Sequence, residues 1–132
     1  MQIYCGTDII EVDRIKDAIE NTNGFKESIF SLNEIKNIDY IKGTMKYQRY
    51  AGRFAAKEAI YKAMSKIILE NNIDMGFCDV EIINVDELRR RPKVVFLSEK
   101  LKNLVAQKNI VIDISISHVE KNAIANAVAY MD

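Results

Sequence analysis

The sequence feature that most constrains the fold is a long helical segment in the middle of the chain. After Gly43, residues 45–71 read "MKYQRYAGRFAAKEAIYKAMSKIILEN", with no proline and a single glycine. Helices in globular proteins average about 11–12 residues, so this one would be unusually long. At 100° per residue, several apolar side chains fall within an arc of about 100° and form a core-facing stripe: Ala56, Ile60, Ala63, Met64 and Ile67. We therefore expect the rest of the chain to pack on a long central helix.

The segments before this helix predict one strand and several short helices. A β-rich opening, "QIYCGTDII", predicts a strand from residue 3 to residue 9 or 10. In "VDRIKDAIENT", apolar residues recur at helical spacing, and the Asn-Gly pair at 23–24 ends that helix. In "FKESIFSLNEIKNI", a short amphipathic helix precedes a second one that begins at Ser31, where Glu34 completes a capping box.

The segments after the central helix predict four strands and one helix. "DVEIINVD" alternates like a half-buried strand, and Pro92 precedes another strand, "KVVFL". "SEKLKNLVAQKN" predicts a helix capped by Ser98. Two further strands, "IVIDISISHV" and "AIANAVAYM", are joined by "EKN", which is typical of a hairpin loop. Hairpin-like neighbours outnumber βαβ units, so we predict an α+β fold with a mainly antiparallel sheet packed on the central helix.

Composition and charge narrow the class of protein. The chain has 132 residues without an internal repeat or a Pro/Gly/Ser-rich linker, so we expect one domain over residues 1–132. Its 19 acidic and 19 basic residues create no global field that would attract nucleic acid or an anionic membrane. No apolar run approaches the roughly 18 residues of a membrane span, and no signal peptide precedes the first strand. Cys5 and Cys78 lack metal-site spacing, which predicts two free, buried thiols in a reducing cytosol.

Glu58 and Lys62 stand one turn apart on the central helix, on a face otherwise made of small residues. The simplest interpretation is a solvated ion pair at i and i+4, which stabilises a helix by about 0.2–0.5 kcal/mol. The alternative is a site where the carboxylate and the ammonium face a ligand that the neighbouring alanines allow to approach. The helix alone leaves both interpretations open.

A second carboxylate, Asp8, ends an apolar strand immediately after Gly6 and Thr7. It is either an N-cap for the following helix or a partner for Glu58. A pair of carboxylates would suit Mg²⁺, which commonly takes one or two of them and fills its remaining positions with water and phosphate oxygens. The chain has no Gly-rich phosphate loop, so side chains on or just before the helix would bind the phosphates: Lys46, Arg49, Arg53, Lys57 and Lys62.

Two further features of the sequence are weaker indications of a phosphate-binding or RNA-binding site. His118, the only histidine, follows "SIS" at the end of a strand. A lone histidine is more often structural than functional, but a partly exposed imidazole at this junction can donate to a phosphate. The basic run "RRRPK" at 89–93 has no interleaved aromatic residue, so it is more typical of a solvated turn than of an RNA-binding surface.

Three blocks of the sequence resemble the holo-(acyl-carrier-protein) synthases, the short bacterial branch of the 4′-phosphopantetheinyl transferases. They are "GTDIIEVDRI", "AGRFAAKEAIYKA" and "ISISHVEKNAIANAVA", in the family's order and at its separations. The combination of "GTDI" with "GRFAAKEA" is the specific part. The chain departs from the family pattern in that Tyr4 replaces a glycine, Arg91 a lysine and Val119 a threonine, and only Gly76 remains of a Gly-rich turn.

The resemblance implies the 4′-phosphopantetheinyl transferase fold and a Mg²⁺-dependent reaction. In it, the 4′-phosphopantetheine group of coenzyme A passes to a serine of apo-acyl carrier protein, which activates the carrier for fatty acid synthesis and releases adenosine 3′,5′-bisphosphate. By the same resemblance, Asp8 and Glu58 are the metal ligands, and Glu58 and Lys62 are catalytic. Lys62 also belongs to the group that binds coenzyme A and its nucleotide, with Lys46, Arg53, Lys57 and His118.

The resemblance also implies partners. Arg14 matches a basic position on the first helix that meets the acidic helix of the carrier protein. The family forms homotrimers with active sites between neighbouring subunits, so a second chain would complete the site. The alternative class is a carrier-protein-binding or nucleotide-binding module without enzymatic activity. Intact Asp8, Glu58 and Lys62 favour the enzyme, since a decayed site would be expected to lose one of them.

Overall fold

The computed structural model describes residues 1–85 and 91–132. Strand β1 (Gln2–Glu11) leads into three short helices, α1 (Val12–Asn21), α2 (Phe25–Ile29) and α3 (Leu32–Asp39). The long helix α4 (Thr44–Glu70) follows and then β2 (Val80–Val85), β3 (Arg91–Phe96) and α5 (Glu99–Gln107). The chain returns through β4 (Val111–His118) and β5 (Asn122–Met131). This order confirms the predicted α+β fold with a long central helix.

All strand pairs in the described part of the chain are antiparallel, as expected, but they form two sheets. One has the order β1-β5-β4, and the other contains β2 and β3. In the larger sheet, Asp8 of β1 lies opposite Ala125 of β5, and His118 of β4 lies opposite Ala123. β1 and β4 are therefore the outer strands, so the two candidate site residues stand on either side of β5.

Helix α4 packs very closely on the larger sheet because small residues face each other. The inner positions of β5 are alanines, and buried alanines of α4 oppose them. Gly6 of β1 is the closest point, since a Cβ there would overlap the carbonyl oxygen of Ala59 and lie 2.8 Å from the backbone nitrogen of Ala63. Side chains two apart along a strand share a face, so Asp8 is directed toward the same helix as Gly6.

The apolar stripe seen in the sequence predicted only one of the two buried faces of α4. Ile60 and Met64 pack in a cluster with the sheets and α5, as predicted. Tyr50 and Ala51 lie in a second cluster, with residues of α1, α2 and α3. The face that carries Glu58 was interpreted as lying opposite the core, but Ala51 and Ala55 on that face are fully buried. The helix is enclosed because the sheet covers one side and the N-terminal helices cover another.

Local signals for helix ends were reliable, whereas the prediction for the cysteines was wrong. Ser31 and Glu34 form the expected capping box on α3, and the Ser98 hydroxyl accepts from the backbone N–H of Leu101 on α5. Cys5 and Cys78 are free, but both are exposed rather than buried. Cys5 alternates with inward-facing Gly6 on β1 and so takes the outer face of the sheet. Within residues 1–85 and 91–132, no helix is long and apolar enough to cross a membrane.

Candidate active site

Asp8 lies on the inner face of β1, where Lys62 of α4 meets it. The Lys62 ammonium donates to the backbone carbonyl of Thr7 at 2.9 Å and lies 3.4 Å from a carboxylate oxygen of Asp8. The N-cap interpretation of Asp8 is wrong, because Glu11 occupies the N-cap position of α1. Lys62 thus reaches across to β1, which favours the ligand-facing interpretation over a simple pair with Glu58.

Glu58 lies at the same corner of the fold as Asp8 and Lys62, and we call these three residues the metal corner. Partial burial raises the pKa of the Glu58 carboxyl, and the negative charge of Asp8 raises the pKa further, while Lys62 lowers it in part. Lys62 contacts Asp8, and Glu58 lies one turn before Lys62 on the same face of α4. The structure therefore brings together the strand-end carboxylate, the mid-helix carboxylate and the lysine that the sequence singled out.

The donor set at this corner fits Mg²⁺. No group of three or more His, Cys, Asp or Glu residues that could hold a metal ion occurs in the described ranges. Mg²⁺ does not need such a cage, because it commonly binds one or two carboxylates and keeps water or phosphate oxygens in its other positions. Burial and the charge of Asp8 both disfavour the charged form of Glu58, and a divalent cation held by these carboxylates would offset that cost.

A small cleft lies directly beside Glu58. It has a volume of about 200 Å³ and is bordered by three residues of α4, Lys57, Glu58 and Tyr61, and by Met75, Gly76, Phe77 and Val80. Gly76, the remaining glycine of the shortened turn, lies on its rim. The lining is largely apolar, so this cleft differs in character from the carboxylate corner that it adjoins.

A basic cleft of about 270 Å³ forms between α4 and the two sheets. Its polar lining combines three arginines, a histidine and two neutral side chains: Arg49, Arg53, Arg91, His118, Asn84 and Ser115. Arg53 is buried and donates from Nη1 to the carbonyl of Ile82 at 2.6 Å, but its Nε has no partner within the described structure. Burial lowers the pKa of the Arg53 guanidinium, so an anion in this cleft would stabilise its charge. The arrangement suits a phosphate group.

His118 is held in the same cleft by Gln48 of α4. Its Nδ1 lies 2.8 Å from the side-chain oxygen of Gln48. Partial burial lowers the pKa of the His118 imidazole, and the positive charge of Arg49 lowers it further. The structure thus places two residues predicted to bind the nucleotide, Arg53 and His118, in one basic cleft.

Lys57 does not fit the role that the sequence suggested. Only 3% of its surface is exposed. Its ammonium donates to the carboxylate of Glu34 at 2.7 Å and to the carbonyls of Ile29 and Phe77 at 2.7 and 3.0 Å. These acceptors match the three donors of an ammonium, which leaves none for a phosphate. We therefore exclude Lys57 from the proposed nucleotide-binding group and assign it to the core.

Lys46 and Arg14 lie apart from both clefts. Lys46 borders an open depression near the start of α4, and its ammonium lies 5.2 Å from the centre of the Tyr47 ring. Arg14 is exposed on α1, where a partner molecule can reach it. Of the basic run at 89–93, Arg89 and Arg90 lie outside the described residues. Arg91 lines the basic cleft and pairs with Asp113.

Sequence reasoning missed several residues at these sites. Arg91 lines the basic cleft but was recognised only as part of a solvated basic run, whereas Arg49, named as a phosphate-binding candidate, lines the cleft as expected. Gln48 carried no signal, since its role depends on a histidine 70 residues away. Glu34 was recognised only as half of a capping box, although it also accepts from the backbone N–H of Ile82.

Comparison with known proteins agrees with this geometry. Residues 4–124 match the model of the 4′-phosphopantetheinyl transferase superfamily. The holo-[acyl-carrier-protein] synthases of Ruminiclostridium cellulolyticum and Clostridium beijerinckii are 45% and 44% identical to the chain. Each alignment covers 97% of this chain, with 92% of the first relative and 97% of the second. Among solved structures, a Bacillus anthracis holo-(acyl-carrier-protein) synthase in complex with CoA (3′,5′-ADP) superposes with a TM-score of 0.75. It is 31% identical, over 98% of this chain and 96% of that one.

The chain therefore belongs to the 4′-phosphopantetheinyl transferase superfamily and, within it, to the holo-(acyl-carrier-protein) synthase enzymes. The family match and the structural superposition both extend over nearly the whole chain. They agree with the resemblance seen in the three sequence blocks and with the predicted fold.

Proposed function

We propose that the protein transfers the 4′-phosphopantetheine group of coenzyme A to a serine of apo-acyl carrier protein and releases adenosine 3′,5′-bisphosphate. The observation that carries this proposal is the meeting of Asp8, Glu58 and Lys62 at one corner of the fold. Two carboxylates and an ammonium are the groups needed to handle a diphosphate and its metal ion. The coenzyme A named with the Bacillus anthracis relative supports the same substrate.

Asp8 and Glu58 would hold Mg²⁺, which when bound neutralises charge on the diphosphate. Lys62 would neutralise further charge there and supply a proton to the departing phosphate oxygen from Nζ. We assign the acceptance of the serine proton to a carboxylate oxygen of Glu58, ahead of His118. Glu58 borders the small cleft beside the metal corner, from which a serine hydroxyl can reach its carboxylate.

The nucleotide part of coenzyme A would lie in the basic cleft. Arg53 lines this cleft, Arg49 adds the positive charge expected of it, and Arg91 adds a positive charge that the sequence prediction did not include. His118 faces the same cleft. Lys46 is retained as a peripheral member of the group because it lies on an open surface where a long ligand can extend.

The carrier protein would dock on α1 through Arg14, which is exposed and positively charged. Its product, a carrier bearing the pantetheine thiol, would serve fatty acid synthesis. We propose the cytoplasm as the site of the reaction. The two free cysteines are consistent with a reducing compartment, where exposed thiols persist without forming disulfides.

We further propose that the protein works as a homotrimer with a site between neighbouring subunits. The outer face of the larger sheet carries exposed apolar side chains: Ile3, Ile9, Val111, Ile124, Val128 and Tyr130. They form two groups separated by the polar row of Thr7, Asn126 and Ser115. Exposed apolar groups on one face support a protein–protein interface there. The metal corner and the basic cleft involve opposite outer strands of the same sheet, and the family resemblance implies that neighbouring subunits share a site.

Intact-mass spectrometry of an apo-acyl carrier protein tests the reaction. We expect the mass to increase by one phosphopantetheine group after incubation with the protein, coenzyme A and Mg²⁺, and to stay unchanged when a chelator is added. Glu58→Gln should abolish the increase while the unfolding curve remains cooperative. A carrier that stays unmodified with the wild-type protein would refute the proposal, and transfer at the wild-type rate by Glu58→Gln would refute the role of Glu58.

A further inference from the structure

The contact between Gln48 and His118 has a chemical consequence for ligand binding. Nδ1 of His118 faces the carbonyl oxygen of the Gln48 side chain, which can only accept a hydrogen bond. The hydrogen of a neutral imidazole must therefore be on Nδ1. Nε2 then carries a lone pair, and no protein partner for Nε2 is found in residues 1–85 and 91–132. It is the ring nitrogen left for a ligand in the basic cleft.

A neutral ring in this tautomer cannot donate to a phosphate oxygen. Its Nε2 lone pair would instead face the negative oxygen, which is unfavourable. Adding a proton at Nε2 turns the ring into a cation with a donor on each nitrogen, and a charge-assisted hydrogen bond to the phosphate becomes possible. A phosphate-bearing ligand therefore favours protonation of the His118 ring, whereas the free protein opposes it.

The charges around the ring oppose its protonation in the free protein. Arg49 and Arg53 of α4 and Arg91 of β3 line the cleft, while β2 and β4 contribute the uncharged Asn84 and Ser115. Asp113 of β4 pairs with Arg91 but lies outside this lining. The described lining contains no carboxylate to stabilise an imidazolium. Burial and Arg49 lower the pKa of His118 accordingly. Before a ligand arrives, the positive charges oppose another one, but the negative charge of a bound phosphate reverses that balance.

We propose that Gln48 is a positioning residue that fixes His118 as the Nδ1–H tautomer, so that a nucleotide phosphate binds in the basic cleft with uptake of one proton from solvent at Nε2. This inference rests on the proposed function, because it takes the nucleotide of coenzyme A as the ligand of this cleft. By linkage, the affinity for the nucleotide falls as pH rises, by at most about tenfold per pH unit. The affinity falls over the pH range between the pKa of the His118 ring in the free protein and the higher pKa of the ring in the complex.

The tautomer can be observed directly, because the chain has one histidine and its ring signals need no assignment. A long-range ¹H–¹⁵N spectrum of the ligand-free protein above pH 7 should show the Nδ1–H form. Gln48→Met removes the acceptor and should give a mixture of both neutral forms. An Nε2–H ring in the wild-type protein would overturn the inference.

Calorimetric titration with adenosine 3′,5′-bisphosphate measures the proton. Comparing buffers of different ionisation enthalpy at pH 7.5 should give an uptake approaching one proton per ligand for the wild-type protein. At this pH the phosphates, with a second pKa near 6, are already mostly dianionic and contribute little. Gln48→Glu places a carboxylate at Nδ1, which should charge the ring beforehand and reduce the uptake toward zero. Gln48→Met should also reduce it, because its ring can donate from Nε2 without an added proton.

Gln107→Glu is the matched control, since it makes the same substitution at an exposed position on α5 and should leave the uptake unchanged. Binding without proton uptake by the wild-type protein would overturn this inference and leave the proposed function intact. No binding of the bisphosphate would overturn the inference together with the nucleotide role of the cleft. The carrier-protein mass assay reports on the transfer reaction separately.

Discussion

Lys57 and Glu58 are adjacent in the sequence, yet their side chains have opposite surroundings. Successive helical residues are rotated by 100°, and α4 is covered on more than one side. That rotation takes the Lys57 ammonium into a buried ion pair, while Glu58 stays partly exposed. The partner of Lys57 is Glu34, 23 residues earlier in the chain. A short motif identifies which charges are present, but their surroundings depend on elements that are distant in the sequence.

The pair of Lys57 and Glu34 predicts a large stability effect. Lys57→Met leaves the carboxylate of Glu34 buried without its counter-charge, which typically costs about 3–5 kcal/mol. We expect urea unfolding to show a loss of this size, whereas Lys100→Met, at an exposed position on α5, should change stability by less than about 0.5 kcal/mol.

The double variant Glu34→Gln/Lys57→Met separates charge from packing. The amide oxygen of glutamine can still accept from the backbone N–H of Ile82, and no isolated charge remains. We therefore expect the double variant to be more stable than Lys57→Met alone. Wild-type stability in Lys57→Met would show that the buried ammonium contributes nothing to the fold.

At the scale of helices and strands, the sequence predicted which elements form and most of their order. Periodicity and caps depend on neighbouring residues, and for that reason the ends of α3 and α5 were predictable from Ser31 and Ser98. The sequence did not predict that the strands divide into two sheets, nor that α4 has a second buried face. Alanines such as Ala51 and Ala55 suit either a core or an exposed helix surface, so their burial is decided by what packs on them.

The predicted site shows the same distinction. Glu58 and Lys62 were singled out because they stand one helical turn apart, and Asp8 because it ends an apolar strand. Their joint role was implied by the family resemblance, and the structure brings Lys62 into contact with Asp8. The basic cleft was only partly predictable. Arg53 and His118 matched family motifs, whereas Arg91 and Asn84 reach the cleft from a separate hairpin whose position no local pattern encodes. Their functional roles remain predictions that the proposed experiments test.

The contact between β1 and α4 gives a prediction about Gly6. Gly6→Ala would place a methyl group against the backbone of Ala59 and Ala63, which a side-chain rotation cannot relieve. We expect β1 to move away from α4, with a loss of at least about 1–3 kcal/mol in urea unfolding. Transfer activity should fall as well, because Asp8 moves with β1 away from Glu58.

Gly76→Ala is a suitable control for that measurement. Its nearest neighbour would be a carboxylate oxygen of Asp79 at 3.6 Å, an ordinary contact distance, and the backbone φ of Gly76 is −97°. It should therefore unfold close to the wild-type urea concentration. If Gly6→Ala were as stable as Gly76→Ala, the close approach of β1 to α4 would not be required for the fold.

At the scale of the whole molecule, α4 connects two hydrophobic clusters. One contains the sheet residues and α5, and the other contains α1, α2 and α3. Since both clusters depend on the same helix, neither could persist if α4 unfolded. We propose on this basis that residues 1–132 form one domain, whose metal corner and basic cleft are lost together on unfolding.

The outer face of the larger sheet exposes several apolar side chains that neither hydrophobic cluster includes. Ile3 and Ile9 expose 65% and 63% of their surface there, and Val128 lies on the central strand β5. If this face forms the proposed trimer interface, Val128→Lys would bury an ammonium between subunits, which is unfavourable without a partner charge. We expect sedimentation equilibrium to give three chain masses for the wild-type protein and one for Val128→Lys.

Transfer should also be lost in Val128→Lys, although Asp8, Glu58 and Lys62 are unchanged, because the site would lack the second subunit. Leu69→Lys, at an exposed position near the end of α4, introduces the same charge away from the sheet face and should remain trimeric and active. A monomeric wild-type protein with full transfer activity would refute the shared site. A trimeric Val128→Lys would move the interface to another surface, since an unpaired ammonium at the centre of this sheet would prevent close packing of two copies.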